Sequence, residues 1–212
     1  QGIQVPGLTS DDVWGSMVSL NYATPGASIP FTFDFYGETY ENCQIGANGL
    51  IAFFKEGFGQ QYTQGSNCSY TQENNGPIPT GSRFKNCIMV PYYDINFGIN
   101  GQVYFQVIGE YPCRKMVLSY YQVPMFSCTS QIATHMAVLY ESSNTIEFYL
   151  QNKPICTSWV GGLATLGIQD ADGARACWVD TYNNTVWSAQ NKAYRIRAAS
   201  ELEKTYAVYK RS

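Results

Sequence analysis

Apolar and polar positions alternate with a period of two along much of this chain, and the clearest stretch runs from Cys113 to Trp159. It holds three apolar runs, Met116–Val123, Ile132–Tyr140 and Ile146–Leu150. Leu118, Tyr120 and Gln122 alternate with Val117, Ser119, Tyr121 and Val123, and Val138 and Tyr140 with Ala137 and Leu139, as on a pleated strand. Val, Ile, Tyr and Phe dominate, so no helical period competes. The polar residues Glu141–Thr145 separate the second and third runs at a length that joins antiparallel neighbours. The pattern predicts a β-meander at the centre of an all-β domain.

The rest of the chain adds strands to it. Turn signals at Pro6-Gly7 and Pro25-Gly26 flank a strand within Val13–Tyr22. Phe31, Phe33 and Phe35 share one strand face, with Thr32, Asp34 and Tyr36 on the other. Ala47-Asn48-Gly49 reads as a tight hairpin between Cys43–Gly46 and Leu50–Phe54, because Asn and Gly tolerate positive φ. Cys87–Tyr93 reads as a buried strand. Gly101–Ile108 reads as another, with Val103, Phe105 and Val107 on one face. Leu163–Gln169 and Ala174–Val179 pair around Asp170–Gly173, and Ala193–Arg197 closes the domain. Together these predict an antiparallel sandwich of two packed sheets over residues 1–198, with 199–212 a tail or linker to a following domain. The expected interior is Phe31, Phe33, Phe35, Val103, Phe105, Val107, Leu118, Tyr120, Val138, Ile146, Leu166 and Ile168. Residues 55–86 break the pattern: they are polar, weakly charged and rich in Gly, Gln, Asn, Ser and Tyr. They predict a long inserted loop, of the kind that is either functional or a pinned decoration.

Composition narrows the classes. At 45 % hydrophobic and 15 % aromatic residues, the 212-residue chain can fill a sizeable core by itself. No apolar run approaches the ~20 residues of a membrane-spanning helix. A net charge of −3 with only 14 % charged residues argues against a nucleic-acid partner. Basic residues collect from Lys192 onward, a basic end on an acidic body. Seven widely spaced cysteines without a CxxC pair fit an exported, disulfide-bearing protein, and the odd count leaves at least one thiol free or paired outside this chain. If Ile132–Tyr140 and Ile146–Leu150 form a hairpin, its open end brings Cys128 beside Cys156 for a disulfide. A Cys68–Cys87 bridge would pin the long loop.

Candidate chemistry is sparse. His135 is the single histidine and sits in a strand, so neither a Ser/His/Asp arrangement nor a thiol–histidine pair assembles around it. Glu141 and Glu147 could serve as paired carboxylates of a glycoside hydrolase, but flanking a hairpin they are expected to be solvated. Asp94, Asn96 and Asn100 could offer oxygens to Ca²⁺ or bond sugar hydroxyls; the same residue types are ordinary in turns. Tyr62 and Tyr70 in the long loop could stack on a sugar ring, although such residues also serve as core or rim packing. Asp170–Gly173 lacks the spacing of a calcium loop and reads as a turn.

Several segments resemble a known family: IPFTFDFYGETYENCQIGANGLIAF, VPYYDINFGINGQVYFQVIG, PCRKMVLSYYQVPMFSC, AVLYESSNTIEFYLQNKPICTSWVGGLATLGIQDADG and NNTVWSAQNKAYRI. In this order they resemble a β-sandwich module of very large secreted proteins of gliding bacteria. Those proteins leave through the type IX secretion system and often end in a gliding-associated C-terminal sorting domain. The resemblance implies an exported, cell-surface, adhesin-like protein and carries no activity. The expectation is therefore a non-catalytic module of adhesion or surface-filament assembly, partnered by other domains or chains of that assembly. The alternative is a carbohydrate-binding domain using the 55–86 and 94–100 loops.

Overall fold

The computed structural model describes residues 2–21, 29–71, 76–82, 84–200 and 205–210. The expected turn at Pro25-Gly26 lies outside them. In chain order the strands are β1 (Ile3–Gln4), β2 (Trp14–Ser19), β3 (Phe33–Phe35), β4 (Glu38–Tyr40), β5 (Asn42–Gly46), β6 (Leu50–Phe53), β7 (Cys87–Tyr92), β8 (Gln102–Ile108), β9 (Lys115–Met125), β10 (Cys128–Tyr140), β11 (Thr145–Lys153), β12 (Leu163–Gln169), β13 (Ala176–Trp178), β14 (Thr185–Val186), β15 (Ala189–Ser200) and β16 (Thr205–Lys210). Among the described residues helix occupies 2 % and strand 53 %, in packed antiparallel sheets that do not close into a barrel.

One sheet runs β1-β8-β9-β10-β11-β15-β16, so the meander β8 to β11 is its centre. The other runs β13-β12-β7-β6-β5-β2, with β14 also pairing β12. β5 and β6 close on Ala47–Gly49 with Gly46 opposite Leu50. β10 and β11 close with Tyr140 opposite Thr145. The structure departs from the expected pattern at the Phe31 segment and at the C-terminal segment. Only Phe33–Phe35 is strand, in a separate hairpin with β4. Part of 199–212 belongs to the sheet, because β16 pairs with β15.

All twelve residues expected inside are buried. Eleven of them join the core between the sheets; Val138 does not. β10 instead turns Ala133, Ala137 and Leu139 inward, the other phase of its alternation. Val138 sits on the other face, opposite Glu147. On β9 a register irregularity in the pairing with β10 puts Gln122 at φ 51 and leaves it exposed, while Val123 points in.

β6 and β7 are buried at every position. Ile51, Phe53, Ile88 and Val90 face the other sheet, whereas Leu50, Ala52, Cys87 and Met89 face away from it. That second face is covered by the 55–86 segment, which packs Tyr62, Cys68, Tyr70, Ile78 and Phe84 onto it together with Trp14. The long insertion is thus a third layer. Its polar composition conceals a handful of large side chains, spaced by residues that can turn the chain.

The disulfide Cys128–Cys156 is present, with a Cα separation of 5.7 Å. Cys68 and Cys87 are not bridged: both are free, fully buried thiols packed where the insertion meets the sheet, Cys68 from the insertion and Cys87 from β7. Apolar packing rather than a covalent pin holds that segment down.

Candidate functional site

Gly49 makes the site possible. It sits at φ +86, and a Cβ there would stand 1.9 Å from the Pro91 carbonyl oxygen. The tight turn drives Asn48 into the protein, where it is fully buried. Its Oδ1 accepts from Ile95 N at 3.0 Å and its Nδ2 donates to Asp12 Oδ1 at 2.6 Å. The next hairpin residue back, Ala47, donates its N–H to Val13 O at 2.9 Å, and Tyr93 N donates to Asn48 O at 3.3 Å. Three distant segments, 11–13, 47–49 and 93–96, therefore meet around one amide side chain.

This meeting brings Asp11, Asp12 and Asp94 together, with one carboxylate oxygen from each within 4.8 Å of the others. Asp11 Oδ1 accepts the Asp12 N–H at 3.0 Å, and the Asn96 side chain bonds the same carboxylate. Asp12 is left-handed at φ 62 and takes a further bond from the Ser69 side chain. Asp94 is 5 % exposed; its backbone oxygen accepts Phe126 N at 3.2 Å, which ties it to the end of β9. Burial, and then the Asp12 charge, pushes Asp11 up to about 7. Burial, and then the charges of Asp12 and Asp11, pushes Asp94 up to about 8, against a bond from the Trp159 side chain. Burial raises Asp12 as well. None of the ion pairs among the described residues involves these three acids. Oxygen donors alone, without a neighbouring base, suit a hard cation.

Of the residues singled out from the sequence, Asp94 and Asn96 belong to this cluster, while Asn100 stands exposed near the start of β8. Tyr62 and Tyr70 are corrected. Tyr62 stacks on Trp14 at 4.2 Å, and Tyr70 meets Tyr92 edge-on at 4.7 Å while its hydroxyl donates to Asn184 Oδ1 at 2.7 Å. Both are buried, so their faces are not open to a sugar. Asp11, Asp12 and Asn48 were missed. The only signal was the Asp11-Asp12 pair and an Asn read solely as a turn former.

The 55–86 segment does present amides. Gln61, Thr63 and Gln64 line an open groove of about 450 Å³ with Ser16, Met17 and Gln44.

Residues considered for catalysis are engaged elsewhere. Glu141 and Glu147 are buried, not solvated. Glu141 accepts from Arg114 Nε at 2.8 Å and also from Arg114 Nη2; Glu147 accepts from Arg195 and from Tyr140 Oη at 2.7 Å. His135 stacks on Tyr120 at 5.0 Å, and burial, helped by the Lys153 charge, pulls it down to about 3. It is a neutral core residue. Asp170 closes its own turn by accepting from Ala174 N at 2.9 Å and Arg175 Nε at 2.8 Å. No helix among the described residues is long and apolar enough to cross a membrane.

No curated protein and no solved structure matches this chain. One family model, described as NIDO related, matches residues 5–209. That span takes in both sheets from β2 onward, the third layer, the disulfide and all three acids of the cluster, so the chain belongs to the NIDO-related family, an extracellular-type domain.

Proposed function

We propose that the chain is a non-catalytic module displayed outside the cell, acting in attachment or in the assembly of a larger surface protein. Membership of an extracellular-type family over residues 5–209 carries this reading. The Cys128–Cys156 disulfide agrees with it, since such bonds persist in oxidising compartments. The engagement of His135, Glu141 and Glu147 in packing and ion pairs supports the non-catalytic half. The segments quoted above support the finer placement, in a surface protein of gliding bacteria exported by the type IX system, with other domains or chains of that assembly as partners. Antibody labelling of intact producing cells, followed by attachment under flow with the module deleted, tests it. Surface labelling and weakened attachment or a disrupted surface assembly are expected. Labelling that requires lysed cells, or a deletion that changes neither property, overturns it.

A second reading, glycan binding, is favoured by the amide-lined groove. Amide side chains rather than stacked rings would then contact the sugar, and the 94–100 loop is not needed for it. A glycan array on the chain and its Gln61→Ala/Gln64→Ala variant checks this: binding that the variant retains excludes the groove.

A further inference from the structure

We infer that Asp11, Asp12 and Asp94 hold a divalent cation, Ca²⁺ by their chemistry, which fastens the 11–12 turn to the start of the 94–100 loop. The inference stands apart from the attachment reading and needs nothing from it.

The carboxylate oxygens lie within 4.8 Å of one another. Two oxygens on opposite sides of a Ca²⁺ at about 2.4 Å are about 4.8 Å apart, so this bound keeps all three within reach of one ion. A calcium ion placed among the three reaches each with little movement. A further oxygen donor of the kind Ca²⁺ collects, the Ser69 hydroxyl, stands against Asp12. The chain's single imidazole, His135, is in the sandwich core, so nothing here favours zinc. Half-buried Asp11 and Asp12 leave a way in from solvent.

An independent observation points to a ligand. Asp94 is 5 % exposed, and its Oδ1 is shielded from solvent with no hydrogen-bond donor among the described residues. A bare carboxylate oxygen in such a place is costly, and nearly all buried polar atoms find a partner. Calcium takes carboxylates through one or both oxygens, so an ion at the cluster satisfies this one. The rival occupant is water. Asp94 also lines a cavity of about 10 Å³ with Tyr70, Tyr93 and Trp159, about the size one water needs.

The test is calorimetric titration of the metal-free chain with CaCl₂, alongside Tb³⁺ luminescence sensitised through Trp159. One saturable site is expected, with a Kd between about 10⁻⁵ and 10⁻³ M, Ca²⁺ displacing the Tb³⁺ signal and the melting temperature rising with calcium. Asp94→Asn should weaken binding by tenfold or more. Asp11→Asn, at a half-buried position, should do the same and covers the case in which Asp94→Asn does not fold. Asp172→Asn, an exposed acid in another turn, should leave affinity unchanged. No calcium-dependent heat, luminescence or melting shift up to about 10 mM would overturn the inference and leave water as the occupant. Binding that survives both Asp11→Asn and Asp94→Asn places the ion elsewhere and overturns it equally. An equal response to Mg²⁺ overturns the choice of calcium.

Discussion

Removing the Cys128–Cys156 bond tests how the sandwich end is held. Both residues change to Ala, since Cys156 is buried and a Ser hydroxyl there would add its own desolvation cost. The bond closes a sequence separation of 28. In the chain-entropy model this loop removes about 12 cal/mol/K from the unfolded chain, or about 3.6 kcal/mol at 25 °C. Residual β10–β11 pairing in the unfolded state would lower that figure. With an unfolding entropy of about 2.1 cal/mol/K per residue, the 212-residue chain should lose about 8 °C in Tm. Urea unfolding followed by tryptophan fluorescence gives both the free energy and the slope. The slope should rise in the variant, because an uncrosslinked unfolded chain exposes more surface. Each single variant breaks the same bond, so Cys128→Ala, Cys156→Ala and the double variant should lose about the same amount. A loss under about 1 kcal/mol with an unchanged slope, or single losses that sum to the double, would refute the reasoning.

Glu141→Ala should cost about 3–5 kcal/mol in chemical denaturation by stranding the buried Arg114, whereas Arg114→Met/Glu141→Leu together should come close to neutral; equal losses would contradict this. Tyr62→Ala should cost about 3–5 kcal/mol as a core truncation against Trp14, where an exposed ligand-binding ring would cost under about 0.5 kcal/mol. His135 is held neutral with its pKa depressed to about 3, below its ordinary 6.5. The unfolded chain therefore binds the extra proton first as pH falls. The stability His135 contributes is complete above about pH 6.5 and is lost progressively down to about pH 3, and His135→Phe should flatten stability over that window.

The sandwich was legible because its strands carry their alternation openly, as Val103, Phe105 and Val107 do on β8. Where alternation slips, the reading slips too. On β10 both phases are apolar, and Ala137 and Leu139 rather than Val138 face the core; on β9 the bulge at Gln122 leaves no mark on the run. β6 and β7 announced burial on both faces, but not what covered the second face. That cover is a polar stretch whose few aromatic residues look like binding residues when their neighbours in space are unknown. The acid cluster was the least legible feature. Asp94 and Asn96 were visible in a loop, yet Asp11 and Asp12 meet them only because Gly49 lets Asn48 turn inward. Glu141 and Glu147 misled for the same reason, since each finds an arginine far away in sequence.

The third layer also decides which sulfurs can react. Cys68 on its inner face and Cys87 on the sheet beneath it are sealed in, and Cys43 lies between the sheets, all at most 1 % exposed. Burial pushes Cys43 and Cys68 up to about 12 and raises Cys87 further, so these thiols stay protonated, and it is the thiolate that attacks disulfides and electrophiles. An extracellular-type domain can thereby carry unpaired thiols among oxidants without scrambling its one described disulfide. Reactivity toward the outside falls to Cys113, which is exposed, and then to half-buried Cys177. A thiol reagent applied to the native chain should modify Cys113 rapidly and the three buried thiols only as fast as the layers open, so alkylation kinetics become a clock for the lifting of the 55–86 cover.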